Sequence, residues 1–279
     1  MPSSSLKKST QALLQRLGIY QRVKSSCLYD LYWRFADPRL IEDRTKEVDF
    51  YRRTLEGLQP GDVIFDVGAN FGQKTDVFLR LGARVVSVDP DDSNQEILRQ
   101  RFLRYRVFRK PVVIVGAALS DKNGTETMWL DEPGSAKNTL NSKWVETLRT
   151  DSTRFGKALE FAEKREVKTL TLAELIEKHG RPFFVKIDVE GHEPAVLRGL
   201  DRVVPFLSFE VNLPEFAPEA LECVELLEGV GKGGDFNYAA DCRHGLALKT
   251  WQKAQPFCEV LKSCTEPSIE VFWRTTGKA

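Results

Sequence analysis

The stretch Val63-Ile64-Phe65-Asp66-Val67-Gly68-Ala69-Asn70-Phe71-Gly72 decides the fold of this 279-residue chain. Its first half is a short run of β-forming side chains, which predicts a strand. The Gly-x-Asn-x-Gly turn that follows admits left-handed backbone and lets the main chain approach a ligand closely. Apolar side chains at Val77, Phe78 and Leu81 then predict a helix that stops at Gly82.

The order of strand and then helix is repeated along the rest of the chain. Further strands are predicted at Ala83–Val88, Val112–Leu119, Phe183–Ile187, Phe206–Val211, Phe236–Ala240 and Ile269–Trp273. Helix starts are indicated by two capping boxes and by a proline at a first helical position, namely Ser93/Glu96, Thr171/Glu174 and Pro194. This alternation predicts an α/β protein with a mostly parallel, seven-stranded sheet and helices on both faces.

Two stretches interrupt this order. Asn123-Gly124 predicts a hairpin turn between the strand Val112–Leu119 and a returning strand, Thr125–Leu130. Residues 131–165 are polar and indicate irregular structure. Within them Asn138, Thr139, Asn141, Lys143 and Trp144 form a mixture that suits sugar recognition but also any exposed loop.

Composition and charge exclude several classes of protein. The 41 basic and 40 acidic residues leave a net charge of +1, which argues against a histone-like nucleic-acid binder. No run of about 20 apolar residues predicts a membrane-spanning helix. We find no secretory signal and no CxxC pair among the five cysteines, so a cytoplasmic chain with reduced thiols is expected. Zinc binding by Cys242, His244, Cys258 and Cys264 is disfavoured because their spacing matches no common pattern.

The first part of the chain, residues 1–47, is predicted to be a helical extension, and residues 48–279 are predicted to be the main domain. Residues 1–24 carry five basic side chains and no acidic one, with leucines at helical spacing. This pattern suits a helix lying on an anionic membrane surface, although a helix docked on the main domain is the favoured interpretation.

Carboxylates follow the predicted strands at the edge where an open α/β sheet binds ligands. Asp66, Asp89, Asp188 and Glu210 occupy four such positions. Neither the GxGxxG fingerprint nor the GxxxxGK[ST] phosphate loop is present. Asp89, one strand beyond the glycine-rich turn, is placed to accept hydrogen bonds from ribose hydroxyls. Together the turn and Asp89 favour an adenosine-bearing cofactor.

These motifs, taken together, resemble the FkbM-type methyltransferases. The resemblance rests on Asp66 to Gln73, Val88-Asp89-Pro90, Ala118 to Asp121 with Gly124, Lys186 to Glu193, and Glu210. It implies a class I methyltransferase (Rossmann-like) fold and S-adenosylmethionine as the cofactor. It also implies cofactor-binding roles for Asp66, Gly68, Asn70, Gly72, Asp89 and Ala118. Many members of the family have Glu where this chain has Asp89, so the ribose would have to lie slightly closer.

Four residues are candidates for catalysis. Asp188 is the first choice for the group that takes the proton of an acceptor hydroxyl, and His192 is an alternative because its usual pKa suits base chemistry. Lys186 lies on the same face of its strand as Asp188 and is predicted to neutralise Asp188 or Glu210. Asp188, Glu210 and Asn212 form a possible Mg²⁺ set, so a divalent metal stays open as an alternative.

The resulting prediction is an S-adenosylmethionine-dependent O-methyltransferase. Its acceptor would be a hydroxyl of a saccharide or a secondary metabolite, that is, a small molecule or a glycan. An arginine-rich stretch, Arg99 to Lys110, raises the alternative of a ribose methyltransferase acting on RNA. No nucleic acid is expected as a partner, because the net charge is near zero and no RNA-binding motif accompanies the arginines. A non-catalytic cofactor-binding scaffold is the remaining alternative.

Overall fold

The structure, a computed structural model, describes residues 38–103, 105, 111–150, 158–231 and 233–275. Its helices are α1 (Pro38–Thr54), α2 (Gln73–Arg80), α3 (Asp92–Arg101), α4 (Ser142–Thr150), α5 (Leu172–His179), α6 (Glu193–Arg198), α7 (Ala217–Gly231) and α8 (Ala254–Ser263). Its strands are β1 (Val63–Val67), β2 (Arg84–Val88), β3 (Val112–Val115), β4 (Ala118–Leu119), β5 (Gly124–Leu130), β6 (Glu163–Leu170), β7 (Phe184–Ile187), β8 (Phe206–Asn212), β9 (Asp235–Ala239) and β10 (Ser268–Arg274). The predicted basic helix in residues 1–24 lies outside the described residues.

Seven strands form the main sheet in the order β3-β2-β1-β7-β8-β10-β9. Strands β3, β2, β1, β7 and β8 are parallel, and β10 runs antiparallel to both of its neighbours. The predicted α/β architecture with a mostly parallel seven-stranded sheet is therefore confirmed. Because β1 has β2 on one side and β7 on the other, the segments that follow these three strands meet at one edge of the sheet.

Alternate side chains of each strand point to opposite faces of the sheet, and each face is covered by helices. Helices α1, α2 and α3 cover the face that includes Ile64 and Val85. Helices α4 to α8 cover the face that includes Phe65 and Val67. Among the described residues, none of the helices combines the length and the apolar character needed to cross a membrane.

Helix α1 runs across the predicted domain boundary between residues 47 and 48. Its Tyr51 is fully buried and packs edge-to-face on Phe78, with ring centroids 5.1 Å apart. Its Glu47 forms an ion pair with Lys74 of helix α2. The C-terminal half of α1 is thus part of the same hydrophobic core as the sheet.

The prediction of one continuous strand over Val112–Leu119 is wrong. The chain breaks after Val115, so β3 joins the main sheet while β4 joins a second sheet of three strands. At Gly116 a β-carbon would lie 2.5 Å from the Gln95 side-chain oxygen, so the backbone is pressed against helix α3 where the strand breaks. A continuous apolar run carries no signal for such a break.

The predicted hairpin at Asn123-Gly124 is also wrong. Strand β6 lies between β4 and β5, giving the order β4-β6-β5, so the two strands that flank the turn are not neighbours. The side chain of Asn123 instead accepts a hydrogen bond from the backbone N–H of Thr171 at 2.9 Å. A turn motif predicts only the conformation of the local backbone. It carries no information about β6, which comes later in the sequence and lies between the two flanking strands.

Residues 131–165, predicted to be irregular, contain helix α4 and the start of β6. Trp144, Val145 and Leu148 of α4 are buried against the large core. These apolar residues recur at helical spacing, which by itself predicts a helix. The polar composition of the region had favoured irregular structure instead. Helix α8 was likewise not predicted.

The two predicted capping boxes differ in outcome. Thr171 Oγ1 accepts a hydrogen bond from Glu174 N at 3.1 Å and caps helix α5, as predicted. Helix α3 begins two residues earlier than predicted, because its N-cap is Asp91 and not Ser93, and Asp91 Oδ1 accepts from Ser93 N at 2.8 Å. A carboxylate is as good an N-cap as a hydroxyl, so sequence spacing alone did not separate the two.

Candidate functional site

A narrow slot lies at the carboxyl ends of β1, β2 and β7. It is lined by the glycine-rich turn, by the ends of these strands and by residues 135–140. Of the predicted site residues, Gly68, Asn70, Asp89, Ala118, Asp188 and His192 line it. Among the described residues, no lysine or arginine does so.

The glycine-rich turn is held by close packing on both sides. Gly68 has φ 79°, and a β-carbon there would lie 1.7 Å from the backbone oxygen of Asp188. Gly72 has φ 76°, and its β-carbon would lie 2.5 Å from the ring of Phe102. Both glycines are therefore required by contacts within the protein, and Gly68 brings β1 and β7 together beneath the slot.

Asp89 fixes the conformation of the turn from the end of β2. Its Oδ2 accepts from Asn70 N at 2.8 Å, and Asn70 has a left-handed φ of 48°. Its Oδ1 accepts from Asp91 N at 2.9 Å and from Asn94 Nδ2 at 3.3 Å. Burial raises the pKa of Asp89 to about 6, although these hydrogen bonds oppose the rise.

Asp66 is placed beneath the turn. It is 1% exposed, lines neither the slot nor the neighbouring cleft, and accepts a hydrogen bond from Thr75 Oγ1 at 2.5 Å. Thr75 also contacts Ser87 Oγ at 2.8 Å, which ties α2 to β2. Asp66 thus supports the segment that carries the turn.

The loop between β7 and α6 is held by a carboxylate that was not singled out from the sequence. Glu193 Oε1 accepts from Val189 N at 3.1 Å and from Gly191 N at 3.3 Å. Glu190 has a different partner: it accepts a hydrogen bond from Trp144 Nε1 at 3.0 Å and lines the slot. Burial, with the charges of Asp188 and Glu193, raises the pKa of Glu190 to about 8.

A wider cleft of about 690 Å³ adjoins the slot. Its walls come from α1, from the start of α2, and from β8, β9 and β10, which are far apart in the sequence. Asp43, Arg44 and Glu47 of α1 line it. Asp188 lines both the cleft and the slot, so this carboxylate lies where the two spaces meet.

Lys186, Asp188 and Glu210 form a coupled group at this junction. Lys186 Nζ lies 2.7 Å from Asp188 Oδ2, which confirms that the two side chains share a face. Burial alone would raise the pKa of Asp188, but the Lys186 charge and a hydrogen bond with Glu210 hold it at about 2. The charge of Asp188, together with burial, raises the pKa of Glu210 well above its usual range. The Lys186 charge therefore favours the ionised form of Asp188, and the charge of Asp188 favours the protonated form of Glu210.

His192 lies in the slot and does not line the cleft. Its Nε2 is 3.2 Å from Ser120 Oγ and 3.7 Å from Glu126 Oε2. Burial lowers the pKa of His192 even though Glu126 opposes this. The structure thus places the histidine on the slot side of Asp188, at the N-cap position of α6, without a side-chain cap.

A buried polar network on the cleft floor was missed by sequence reasoning. Glu270 accepts from Tyr51 Oη at 2.9 Å and from Ser208 Oγ at 2.7 Å. Lys74 Nζ lies 3.8 Å from Glu270 and also pairs with Glu47. The five residues come from α1, α2, β8 and β10, so no local motif could have revealed them.

The slot fits an adenosine-bearing cofactor on its own chemistry. Asn94 Oδ1 is buried beside Asp89 and has no hydrogen-bond partner among the described residues. A buried acceptor without a donor is costly, and an amino or hydroxyl group of a ligand would satisfy it. Asp89 also has lone-pair capacity left for a ribose hydroxyl.

The proposed Mg²⁺ set does not fit a metal ion. The Lys186 ammonium already lies beside Asp188, and Ser268 Oγ donates to Glu210 Oε1 at 2.8 Å. A cation between these carboxyl groups would be repelled by the buried lysine. Within the described ranges, no three His, Cys, Asp or Glu side chains are grouped so as to hold a metal.

Comparisons with known proteins agree with this architecture. A crystal structure of an FkbM methyltransferase from Methylobacillus flagellatus superposes with a TM-score of 0.51 at 13% identity, over 82% of this chain and 47% of that one. A ribosomal RNA small subunit methyltransferase A from Thermotoga petrophila is 34% identical over 70 residues, which is 25% of this chain and 24% of that protein. This chain therefore spans less than half the length of either relative.

The sequence profile of the methyltransferase FkbM domain matches residues 66–232, which is more than half of the chain. The match begins at Asp66 and includes the glycine-rich turn, Asp89, the segment from Lys186 to Glu193, and Glu210. These are the residues that build the slot and its junction with the cleft. The chain therefore belongs to the FkbM methyltransferase family.

Proposed function

We propose that this protein transfers the methyl group of S-adenosylmethionine to a hydroxyl oxygen of an uncharged, hydroxyl-rich acceptor such as a saccharide or a secondary metabolite. The observation that carries the proposal is the position of Asp188, which lines both the slot and the cleft. The cofactor would occupy the slot and the acceptor the cleft. A group at their junction is then the one that faces the reacting oxygen.

Asp89, Asn94 and the glycine-rich turn would hold the adenosine part of the cofactor. When bound, the cofactor supplies an activated methyl group on a positively charged sulfur. The slot favours such a ligand because carboxyl groups line it and none of its described lining residues is a lysine or arginine. Asp188 would provide negative potential beside the slot, and Glu190 would add to it when a cationic ligand favours its ionised form.

Asp188 would accept the hydrogen bond of the acceptor hydroxyl and take its proton as the new carbon–oxygen bond forms. A carboxylate with a pKa of about 2 is a weak base toward an alcohol. It is strong enough toward the protonated ether, because that species is far more acidic than a carboxylic acid. Lys186 orients Asp188 and favours its ionised form, and a hydrogen bond with Glu210 favours the same form.

The charges of the cleft support an uncharged acceptor. Asp43 and Asp241 both pair with Arg243, Glu47 pairs with Lys74, and Asp188 pairs with Lys186. Charged groups that are neutralised within the wall leave polar hydrogen-bonding surface. A saccharide offers the matching hydroxyls.

A ribose methyltransferase acting on RNA is less well supported. The relative named for ribosomal RNA matches only 25% of this chain. In the arginine-rich stretch, Arg99 binds Gln95 at 2.9 Å and Arg101 binds the backbone oxygen of Phe71 at 2.7 Å, so both face the protein. Arg104 and residues 106–110 lie outside the described part of the chain.

The proposal is tested with radiolabelled S-adenosylmethionine and a panel of hydroxylated acceptors. Each neutral saccharide is paired with its phosphorylated form, and an RNA oligonucleotide is included. We expect label transfer to a neutral saccharide or metabolite, and loss of transfer in Asp188→Asn. Methylation of RNA alone, or of an amine or carbon centre, would contradict the proposal. Asp201→Asn, an exposed aspartate paired with Arg202, serves as the matched control.

A further inference from the structure

The loop between β5 and α4 forms one wall of the slot. Ser135, Ala136 and Asn138 of this loop line the slot together with the glycine-rich turn. The far end of the loop is fixed, because Thr139 and Trp129 exchange two backbone hydrogen bonds of 2.9 and 3.1 Å. Residues 131–138 are therefore held at both ends, and the position of the tip depends on other contacts.

Asp91 supplies the contact that fixes the tip. Its Oδ2 accepts from the backbone N–H of Gly134 at 2.8 Å and from Asn138 Nδ2 at 2.9 Å. Its Oδ1 accepts from Ser93 N at 2.8 Å and caps helix α3. The side chain is 1% exposed, so these three bonds are shielded from water. One carboxylate thus joins α3 to the loop across the top of β2.

The tip of the loop reaches the part of the slot that has an unsatisfied acceptor. A β-carbon at Gly134 would lie 3.3 Å from Asn94 Oδ1 and 3.6 Å from the ring of Phe71. Movement of Gly134 would therefore open the wall beside Asn94. Because the buried Asp91 carboxyl group accepts two hydrogen bonds from the loop, the contact holds the wall in one position.

We propose that Asp91 is a positioning residue for cofactor binding, and that it acts by tying loop 131–138 over the slot. The inference rests on the proposed placement of the cofactor in the slot and is independent of the acceptor. Without the tie, the loop would have to be ordered by the cofactor itself. The cost of that ordering would lower the affinity of the protein for both the cofactor and its demethylated product.

The test separates the tie from the helix cap, which the same side chain provides. Asp91→Asn keeps an acceptor for Ser93 N but turns an amide donor toward the two donors of the loop. Asp91→Ser keeps the cap and is too short to reach the loop. Thr171→Ala is the matched control, because it removes a cap of the same kind from helix α5, whose residues do not line the slot.

Three quantities are measured for each variant: the dissociation constant of S-adenosylhomocysteine by titration calorimetry, the unfolding midpoint, and the exchange rate of the Gly134 amide. We expect both Asp91 variants to bind roughly tenfold more weakly, the loss typical of one hydrogen bond to a charged group. The Gly134 amide should exchange faster in both variants. Thr171→Ala should lower the unfolding midpoint without changing the affinity.

Unchanged affinity in a folded Asp91→Asn protein would overturn the inference. An unprotected Gly134 amide in the unsubstituted protein would also overturn it, and that measurement does not depend on any variant folding. The substitution Asp89→Ala separates the role of the Asp91 tie from the placement of the cofactor in the slot. If it weakens binding while the Asp91 variants do not, the tie is wrong and the slot stands. If neither changes binding, the placement of the cofactor is wrong.

Discussion

The slot and the cleft hold their carboxyl groups in opposite ways. In the slot, Asp89 and Glu190 are bound by backbone amides or an indole N–H, and burial raises the pKa values to about 6 and about 8. In the cleft, Glu270 and Asp241 face an ammonium or a guanidinium, and the pKa of each is lowered despite burial. The pKa of Glu210 departs from this pattern because the charge of Asp188 is the largest influence on it and raises it.

This difference agrees with the ligands that the proposed function assigns to each space. Desolvated carboxyl groups without an internal cation complement a cationic ligand, and the sulfonium of the cofactor is such a ligand. Carboxylates that are already neutralised within the wall complement an uncharged one. Asp188 belongs to both regions, since it is paired with Lys186 and also faces the slot.

The largest expected effect comes from breaking the junction itself. Asp188→Asn should lower kcat by roughly 10²–10⁴, the range for loss of an acid–base group, while cofactor affinity changes less than about tenfold. The reason is that Asp188 acts on the reacting oxygen in the transition state. Steady-state kinetics and calorimetry on the same preparation measure the two effects.

The Asp201→Asn protein controls for a change of one charge. Because Lys186 loses its partner in Asp188→Asn, unfolding midpoints are recorded as well. A folded Asp188→Asn protein with near-normal turnover would remove Asp188 from the mechanism.

The next effect is confined to the slot. Asp89→Ala should weaken cofactor binding by about 1–3 kcal/mol, because hydrogen bonds to a charged group are lost and the Asn70 turn is no longer held. Asp62→Ala is the matched control, since Asp62 Oδ2 accepts one backbone hydrogen bond, from Gln59 N at 2.8 Å, before the other end of β1. Equal affinities in the two variants would show that Asp89 does not contribute to the cofactor site.

A pH series sharpens the contrast between the two regions. The pKa of Glu190 is raised to about 8, so at pH 7 the neutral form predominates in the unliganded protein. A cationic ligand favours the ionised form, so affinity for S-adenosylmethionine should rise with pH toward 8, by at most about tenfold per unit. S-adenosylhomocysteine, whose sulfur is uncharged, should show a smaller rise; both ligands share the same amino group, so its titration cancels.

Glu190→Gln should remove the difference between the two ligands. The same raised pKa means that the folded protein binds this proton more tightly than the unfolded chain. The stabilising contribution is therefore present at low pH and is lost as the pH rises through about 8. Chemical denaturation between about pH 4.5 and pH 8, the window between the ordinary and the raised pKa of Glu190, should give a steeper fall for the unsubstituted protein than for Glu190→Gln.

The smallest effect is expected at His192. His192→Gln keeps a polar group near Ser120, so turnover should fall much less than in Asp188→Asn. Because the histidine lines the slot and not the cleft, any change should appear in the KM for the cofactor. A loss of kcat as large as that of Asp188→Asn, with cofactor KM unchanged, would make His192 the base instead.

Local sequence patterns determined the parts of this protein in which neighbouring residues act together. The glycine-rich turn, the carboxylates directly after β2 and β7, the Thr171 cap and the alternation of strands with helices were predicted correctly. In each case the physical requirement is local: a turn needs a left-handed residue, and a parallel strand must be followed by a crossover.

Only the tertiary structure decided which distant segments meet. It inserted β6 between β4 and β5, and it brought Glu47, Lys74 and Glu270 together on the cleft floor. It also decided which carboxyl group holds the loop after β7, because Glu193 accepts from the loop amides while Glu190 accepts from Trp144 of a helix distant in sequence. Hydrogen bonds and ion pairs depend on distance in space, and sequence spacing fixes that distance only within a single helix, strand or turn.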